Sequence, residues 1–128
     1  MPLKLSLRPS EAIIVNGAVM RNGDRRGVMV VENRAKILRE KDVVFPEAIQ
    51  SLAEHAYFAI MQIYLTSETE GELYIDATSA LADLAATSAD DILKQRALDI
   101  SILLADARVY EALSKCRKLM KAAGGQNA

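Results

Sequence analysis

Phe45-Pro46-Glu47-Ala48-Ile49 marks the point at which the chain changes its hydrophobic period, and each side of it predicts a different kind of structure. Upstream, Leu3, Leu5 and Leu7 alternate with Lys4, Ser6 and Arg8, while Ala12 to Val15 and Gly27 to Glu32 are short β-branched runs bounded by turn residues. These read as strands. Asn16-Gly17 and Asn22-Gly23 tolerate the positive φ that tight hairpin turns require, and Glu32-Asn33-Arg34-Ala35 reads as a further turn before Lys36 to Arg39. Five short strands ahead of Phe45 predict a small meander or barrel-like sheet. Val28-Met29-Val30-Val31 has no polar alternation, so that strand is expected to be buried on both faces.

Downstream the punctuation is helical. Pro46 suits a first helical position, Glu47 favours the positive end of the helix dipole, and Ile49, Leu52, Ala56, Ile60 and Ile63 keep helical spacing through Leu65. Tyr57, Phe58, Met61, Tyr64 and Leu65 make the second half of this helix apolar almost all round, which implies a central core position or cover by another chain. Ser67 with Glu70 and Ser88 with Asp91 fit the Ser-x-x-acid capping pattern and predict two further helices, over 68–87 and 89–122. The ending Gly124-Gly125-Gln126-Asn127-Ala128 should fray. The expected fold is α+β: an N-terminal small antiparallel β-sheet followed by three C-terminal α-helices, a single compact domain with a basic segment over 1–45 and a helical segment over 46–123.

Charge is segregated along the same boundary. Residues 1–45 carry nine Lys or Arg against five Asp or Glu, residues 46–91 carry nine acids and no Lys or Arg, and residues 92–128 carry seven Lys or Arg against three acids. The net charge of −1 hides this pattern, yet a polyanion or a protein partner meets local fields, screened over about 8–10 Å. The basic end and the acidic middle are expected to meet different partners.

At 128 residues the chain suffices for one core. With no Trp and 5% aromatic residues it offers few stacking platforms. The single Cys116 excludes an internal disulfide, and no secretory leader or membrane-length apolar run is visible, so a soluble cytoplasmic protein is expected. No phosphate loop, dinucleotide fingerprint, zinc spacing or nucleophile elbow occurs. His55, the only histidine, reads as a partly exposed helical residue, and Glu68, Glu70, Glu72 and Asp76 lack calcium-loop spacing and read as a solvated, partner-facing surface. Neither a catalytic site, a metal nor a cofactor is expected.

The most concentrated chemistry is Arg21-Asn22-Gly23-Asp24-Arg25-Arg26-Gly27. Guanidinium forks pair bidentately with phosphate oxygens, and glycines allow close backbone approach, although a plain solvated hairpin fits the loop as well. Lys4, Arg8, Arg34, Lys36, Arg39 and Lys41 in the same segment favour nucleic acid, bound through phosphates and backbone rather than by base stacking. The nucleic-acid-contacting candidates are Arg8, Arg21, Arg25, Arg26, Lys36 and Arg39. The alternative is a protein-interaction module in which the bare helix 56–65, through Tyr57, Phe58, Met61 and Tyr64, receives an amphipathic partner helix or a second copy of the chain.

The runs Leu5-Ser6-Leu7-Arg8-Pro9, Ile14-Val15-Asn16-Gly17-Ala18-Val19, Arg21-Asn22-Gly23-Asp24-Arg25-Arg26 and Glu32-Asn33-Arg34-Ala35-Lys36-Ile37-Leu38-Arg39-Glu40-Lys41-Asp42 resemble the FlbT family of flagellum biosynthesis repressors. The resemblance continues through Tyr64-Leu65 and the helical remainder. It implies a cytoplasmic, non-enzymatic regulator that associates with the 5′ untranslated region of flagellin messenger RNA and promotes its decay, with a positive effect on flagellin synthesis in some members. Flagellin or another flagellar assembly factor is the protein partner it would suit. Residues 1–45 also resemble the carbon storage regulator family of RNA-binding β proteins, through Arg8-Pro9-Ser10-Glu11-Ala12-Ile13-Ile14-Val15 and Leu38-Arg39-Glu40-Lys41-Asp42-Val43. That likeness nominates Arg39 most directly, with Leu5 and Arg8 on the first strand. Leu7, Leu38 and Ser10 depart from its pattern, standing where that family has a basic residue, a histidine and a glycine.

Overall fold

A computed structural model describes residues 2–68 and 70–126, with side chains as far as residue 122. The chain divides into two compact units, Met1–Val43 and Val44–Ala128. The division falls two residues before the change of period.

In the amino-terminal unit the described strands are β1 (Leu3–Leu7), β2 (Ala12–Val15), β3 (Ala18–Arg21), β4 (Gly27–Val31) and β5 (Ile37–Arg39). They form two antiparallel sheets, β1-β4 and β3-β2-β5, where one was expected. The reason lies in the two Asn-Gly dipeptides. Asn16 and Gly17, at φ of 50° and 86°, make the tight turn that pairs Val15 with Ala18. Asn22-Gly23 makes no such turn, since neither residue has a positive φ. Instead the Asn22 side-chain amide donates to the carbonyls of Arg8 at 2.8 Å and Arg25 at 2.9 Å, and more weakly to that of Leu7 at 3.4 Å. The loop after β3 is thereby tied to the end of β1, and β4 pairs with β1 from Leu3↔Val31 to Leu7↔Gly27.

Alternation does the rest. Leu5, Leu7 and Ile13 are buried, with Val15, Met29, Val31 and Ile37 packed around them, so the apolar faces of both sheets share one small core. The other face of β4 is open to solvent: Val28 is 57% and Val30 is 53% exposed. The expectation of a strand buried on both faces is corrected, because only the side of β4 that carries Met29 and Val31 packs on the small core.

The carboxy-terminal unit has four α-helices among the described residues, α1 (Leu52–Thr66), α2 (Glu72–Thr87), α3 (Asp91–Ala105) and α4 (Val109–Gln126), rather than three. The predicted break points were displaced. Pro46 opens only a 3₁₀ turn, Pro46–Ala48, and the true cap of α1 is Ser51, whose hydroxyl oxygen accepts the Glu54 N–H at 3.1 Å. Ser67, expected to start a helix, instead ends α1 in the left-handed conformation at φ 63°. Gly71 is the residue before α2, at φ 101°, and Asp90, not Ser88, caps α3 by accepting from the N–H groups of Ile92 and Leu93.

The long third helix is split at Asp106-Ala107-Arg108. Ala107 sits at φ 60°, its N–H donates to Leu104 O at 3.0 Å, and the Arg108 N–H donates to Leu103 O at 2.9 Å. That pair of bonds is a Schellman ending with alanine where glycine is usual. α1 and α3 each pack against both α2 and α4, around Ala56, Tyr57, Ile60, Ile63, Leu81, Ala97, Ile100, Leu113, Cys116 and Leu119. α4 continues through Gly124 and Gly125 to Gln126, where fraying was expected, and Asn127 and Ala128 lie outside the described residues. No described helix is long and apolar enough to cross a membrane.

Candidate nucleic-acid interface

The core of the amino-terminal unit ends at a cleft of ≈ 560 Å³. Strand pairing delivers one wall, because Arg39 on β5 lies opposite Ile13 on β2 and shares its face. The turn Arg8-Pro9-Ser10-Glu11 delivers another. Glu11 N–H donates to Arg8 O at 3.1 Å, Arg8 N–H donates to the Glu11 carboxylate at 2.8 Å, and Ser10 occupies the turn at φ 62°, a conformation that suits glycine better. Ser10 N–H donates to Gly23 O at 2.8 Å, and Asn22 N–H to Glu11 O at 2.9 Å, so the arginine-rich loop is bound to this turn along its backbone.

The cleft is lined by Arg8, Arg26, Arg39 and Lys41 together with the acids Glu11 and Glu40. Four cations against two carboxylates make it basic with mixed sign. Arg39 Nη2 bonds Ser6 O, and Arg39 reaches the Glu11 carboxylate through Nη2 at 3.2 Å and through Nε at 3.4 Å. The Glu11 carboxyl is held below the usual carboxylate range, first by the Arg8 N–H, with the Arg39 hydrogen bond and the charges of Arg39 and Arg8 adding to it against the opposing pull of desolvation. Arg21 donates to Ser10 O at 2.6 Å and stands 3.6 Å from Glu40, an exposed pair of small energetic weight.

The six RNA candidates therefore divide. Arg8, Arg26 and Arg39 share the cleft, Arg21 flanks it through Ser10 and Glu40, and Arg25 is exposed on the neighbouring loop. Lys36 does not join them. It lies beyond the other end of β5, where its N–H donates to Asn16 Oδ1 at 2.8 Å beside the β2–β3 turn. Lys41, counted among the basic residues of the segment but not among the six candidates, joins the cleft, and Glu11 and Glu40 were missed as parts of it. Glu11 carried a signal, since an acid three residues after Arg8 across Pro9-Ser10 is the closing position of a turn.

The four partner candidates on α1 divide as well. Tyr57, 1% exposed, and Met61, 4% exposed, are core residues and present no surface to a partner, because an almost wholly apolar helix is packed on two sides by α2 and α4. Phe58 and Tyr64 are half-buried, and the Tyr64 ring lies 5.6 Å from that of Tyr110 on α4. His55 is exposed on α1, and among the described residues no three His, Cys, Asp or Glu side chains gather as a metal site.

A family model described as "Flagellar protein FlbT" matches residues 3–123. The flagellum biosynthesis repressor protein FlbT of Caulobacter vibrioides is 39% identical over 121 residues, covering 94% of this chain and 86% of that protein. The probable flagellum biosynthesis repressor protein FlbT of Caulobacter sp. strain K31 is 36% identical, covering 94% and 92%. That of Rhodopseudomonas palustris is 28% identical over 123 residues, covering 94% of each chain. No solved structure matches the chain.

Proposed function

The chain belongs to the FlbT family of flagellar proteins, and from that premise we propose that it regulates flagellum biosynthesis post-transcriptionally, its amino-terminal unit binding the 5′ untranslated region of flagellin messenger RNA and promoting decay of that message. The observation that carries this reading is the cleft that gathers Arg8, Arg26, and the neighbouring Arg39 and Lys41 from three separated stretches of chain, with Arg25 exposed beside it. Guanidinium forks on a fixed strand and turn suit a folded transcript, which presents phosphates and splayed bases together. Decay itself falls to recruited cellular nucleases, since phosphodiester cleavage needs a positioned acid and base or paired metals.

Replacing Arg25 and Arg26 together by Glu tests this. Retention of the leader in a gel shift is expected to be lost with circular dichroism unchanged, and wild-type affinity is expected to fall steeply with salt as counterions are released. Undiminished binding by the double variant removes the loop from the mechanism.

A second reading, capture of flagellin or another flagellar assembly factor, draws on one feature of the helical unit. Glu72, Asp76, Ser79 and Asp83 form an exposed stripe on α2 beside Ile75, which is 59% exposed, in a stretch of chain with no Lys or Arg. Purified protein that captures flagellin yet shows no salt-sensitive RNA retention favours that reading over the first.

A further inference from the structure

We infer that Glu11 is a positioning residue for RNA selection: it clamps Arg39 in one orientation so that the remaining Nη1 edge meets the transcript. The inference rests on the RNA reading above. Glu11 is the better-fixed partner of the pair. Its own side chain is only 12% exposed, one oxygen is anchored by the Arg8 N–H at 2.8 Å, and its backbone N–H closes the same turn on Arg8 O. Arg39, with a side chain 29% exposed, therefore conforms to Glu11 rather than the reverse.

The bonds Arg39 makes are also selective among its nitrogens. Nε and Nη2 are spent on Glu11 and on Ser6 O, so both directions that would let the guanidinium swing on its three-carbon stem are tied. Nη1 takes no part in these bonds and is what remains to a ligand on a residue that lines the cleft. An untethered arginine would follow any phosphate; a tethered one rewards only a ligand whose acceptor arrives at that point. Glu11 simultaneously places a carboxylate among the cations of the cleft, and each such charge weakens the attraction that all polyanions share. Positioning and charge thus act in the same direction, towards discrimination.

A plain structural staple and a competitor for Arg39 predict different behaviour. Glu11→Gln keeps the shape of the side chain and an oxygen for the Arg8 N–H, so the turn is expected to persist with unchanged circular dichroism. Binding is read by titration against the flagellin leader and against a scrambled RNA of equal length. Glu11→Gln is expected to weaken leader binding on the order of tenfold, the scale of one hydrogen bond to a charged group, and to leave scrambled RNA bound equally or more tightly. Combined with Arg39→Lys, it is expected to add little, because its effect passes through Arg39.

Tighter binding of both RNAs by Glu11→Gln, an unchanged leader-to-scrambled ratio, or full additivity with Arg39→Lys overturns the inference. If wild-type protein retains neither RNA, the RNA reading itself falls and this inference with it. A wild-type preference for the leader that Glu11→Gln leaves intact refutes the positioning role alone.

Discussion

Replacing Ile13 by Ala tests whether the cleft stands on the small core beneath it. Ile13 is 1% exposed, pairs with Arg39 on one side and Met20 on the other, and sits with Leu5 and Leu7 at the centre of the amino-terminal core. Truncating a fully buried isoleucine costs about 2–5 kcal/mol. At roughly 0.05–0.15 kcal/mol per residue, a unit spanning Met1–Val43 holds about 2–6 kcal/mol. The substitution is therefore expected to consume most of it, whereas Ile13→Val, at about 0.5–1.5 kcal/mol, leaves the unit folded. A loss of about 3 kcal/mol raises amide exchange by more than 100-fold, since each 1.4 kcal/mol is a factor of ten. Hydrogen exchange of the β1, β2 and β5 amides reads this directly. Leader binding is expected to fall with protection, since β5, which carries Arg39, pairs with β2 at Ile13. An Ile13→Ala variant whose strand amides keep wild-type protection refutes the idea that this core supports the site.

Ala107→Gly is expected to stabilise the helical unit by about 0.5–1 kcal/mol in urea titration, because a left-handed L-residue costs about 1–2 kcal/mol and glycine returns part of that as unfolded-chain entropy. Cys116, wholly buried with its thiol pushed up to about 12 by desolvation, is expected to resist alkylation at pH 8 until the protein unfolds. Since its folded pKa is raised, the stability it contributes is present below the ordinary thiol pKa and is lost as pH climbs from there towards about 12, a slope absent from Cys116→Ala. For Glu11 the sign reverses: its lowered folded pKa contributes stability above the usual carboxylate range that disappears as pH falls through the folded value, and Glu11→Gln is expected to flatten that acid limb in a thermal melt.

Sequence carried the α+β division and the strand positions, because these depend on hydrophobic period alone. Asn16-Gly17 was equally legible, since both residues adopt the positive φ that their types allow. Asn22-Gly23 misled, because the same dipeptide can spend the asparagine amide on distant carbonyls, and the choice depends on β1 lying nearby. That one side chain separates two sheets from one. The helix break at Ala107 was hidden for the opposite reason: alanine is the strongest helix former, and only the packing of α4 alongside α1 and α3 repays its left-handed conformation. Arginine positions could be counted in advance, but their grouping could not. Lys36 and Arg39, three residues apart, lie towards opposite ends of β5, while Arg8, Arg26 and Arg39 converge from distant sequence.

The acids in the cleft explain why net charge was a poor guide to its use. A groove built for affinity alone would gain from removing Glu11 and Glu40, since each carboxylate offsets a cation that could neutralise a phosphate. Selection against bulk RNA, however, depends on the difference between cognate and non-cognate binding, and charge common to both contributes nothing to that difference. A cleft of four cations restrained by two acids surrenders general attraction and retains donors at fixed points. On the RNA function proposed above, choosing one message among many draws on that arrangement, and the Arg39–Glu11 pair is the point at which Glu11→Gln tests it.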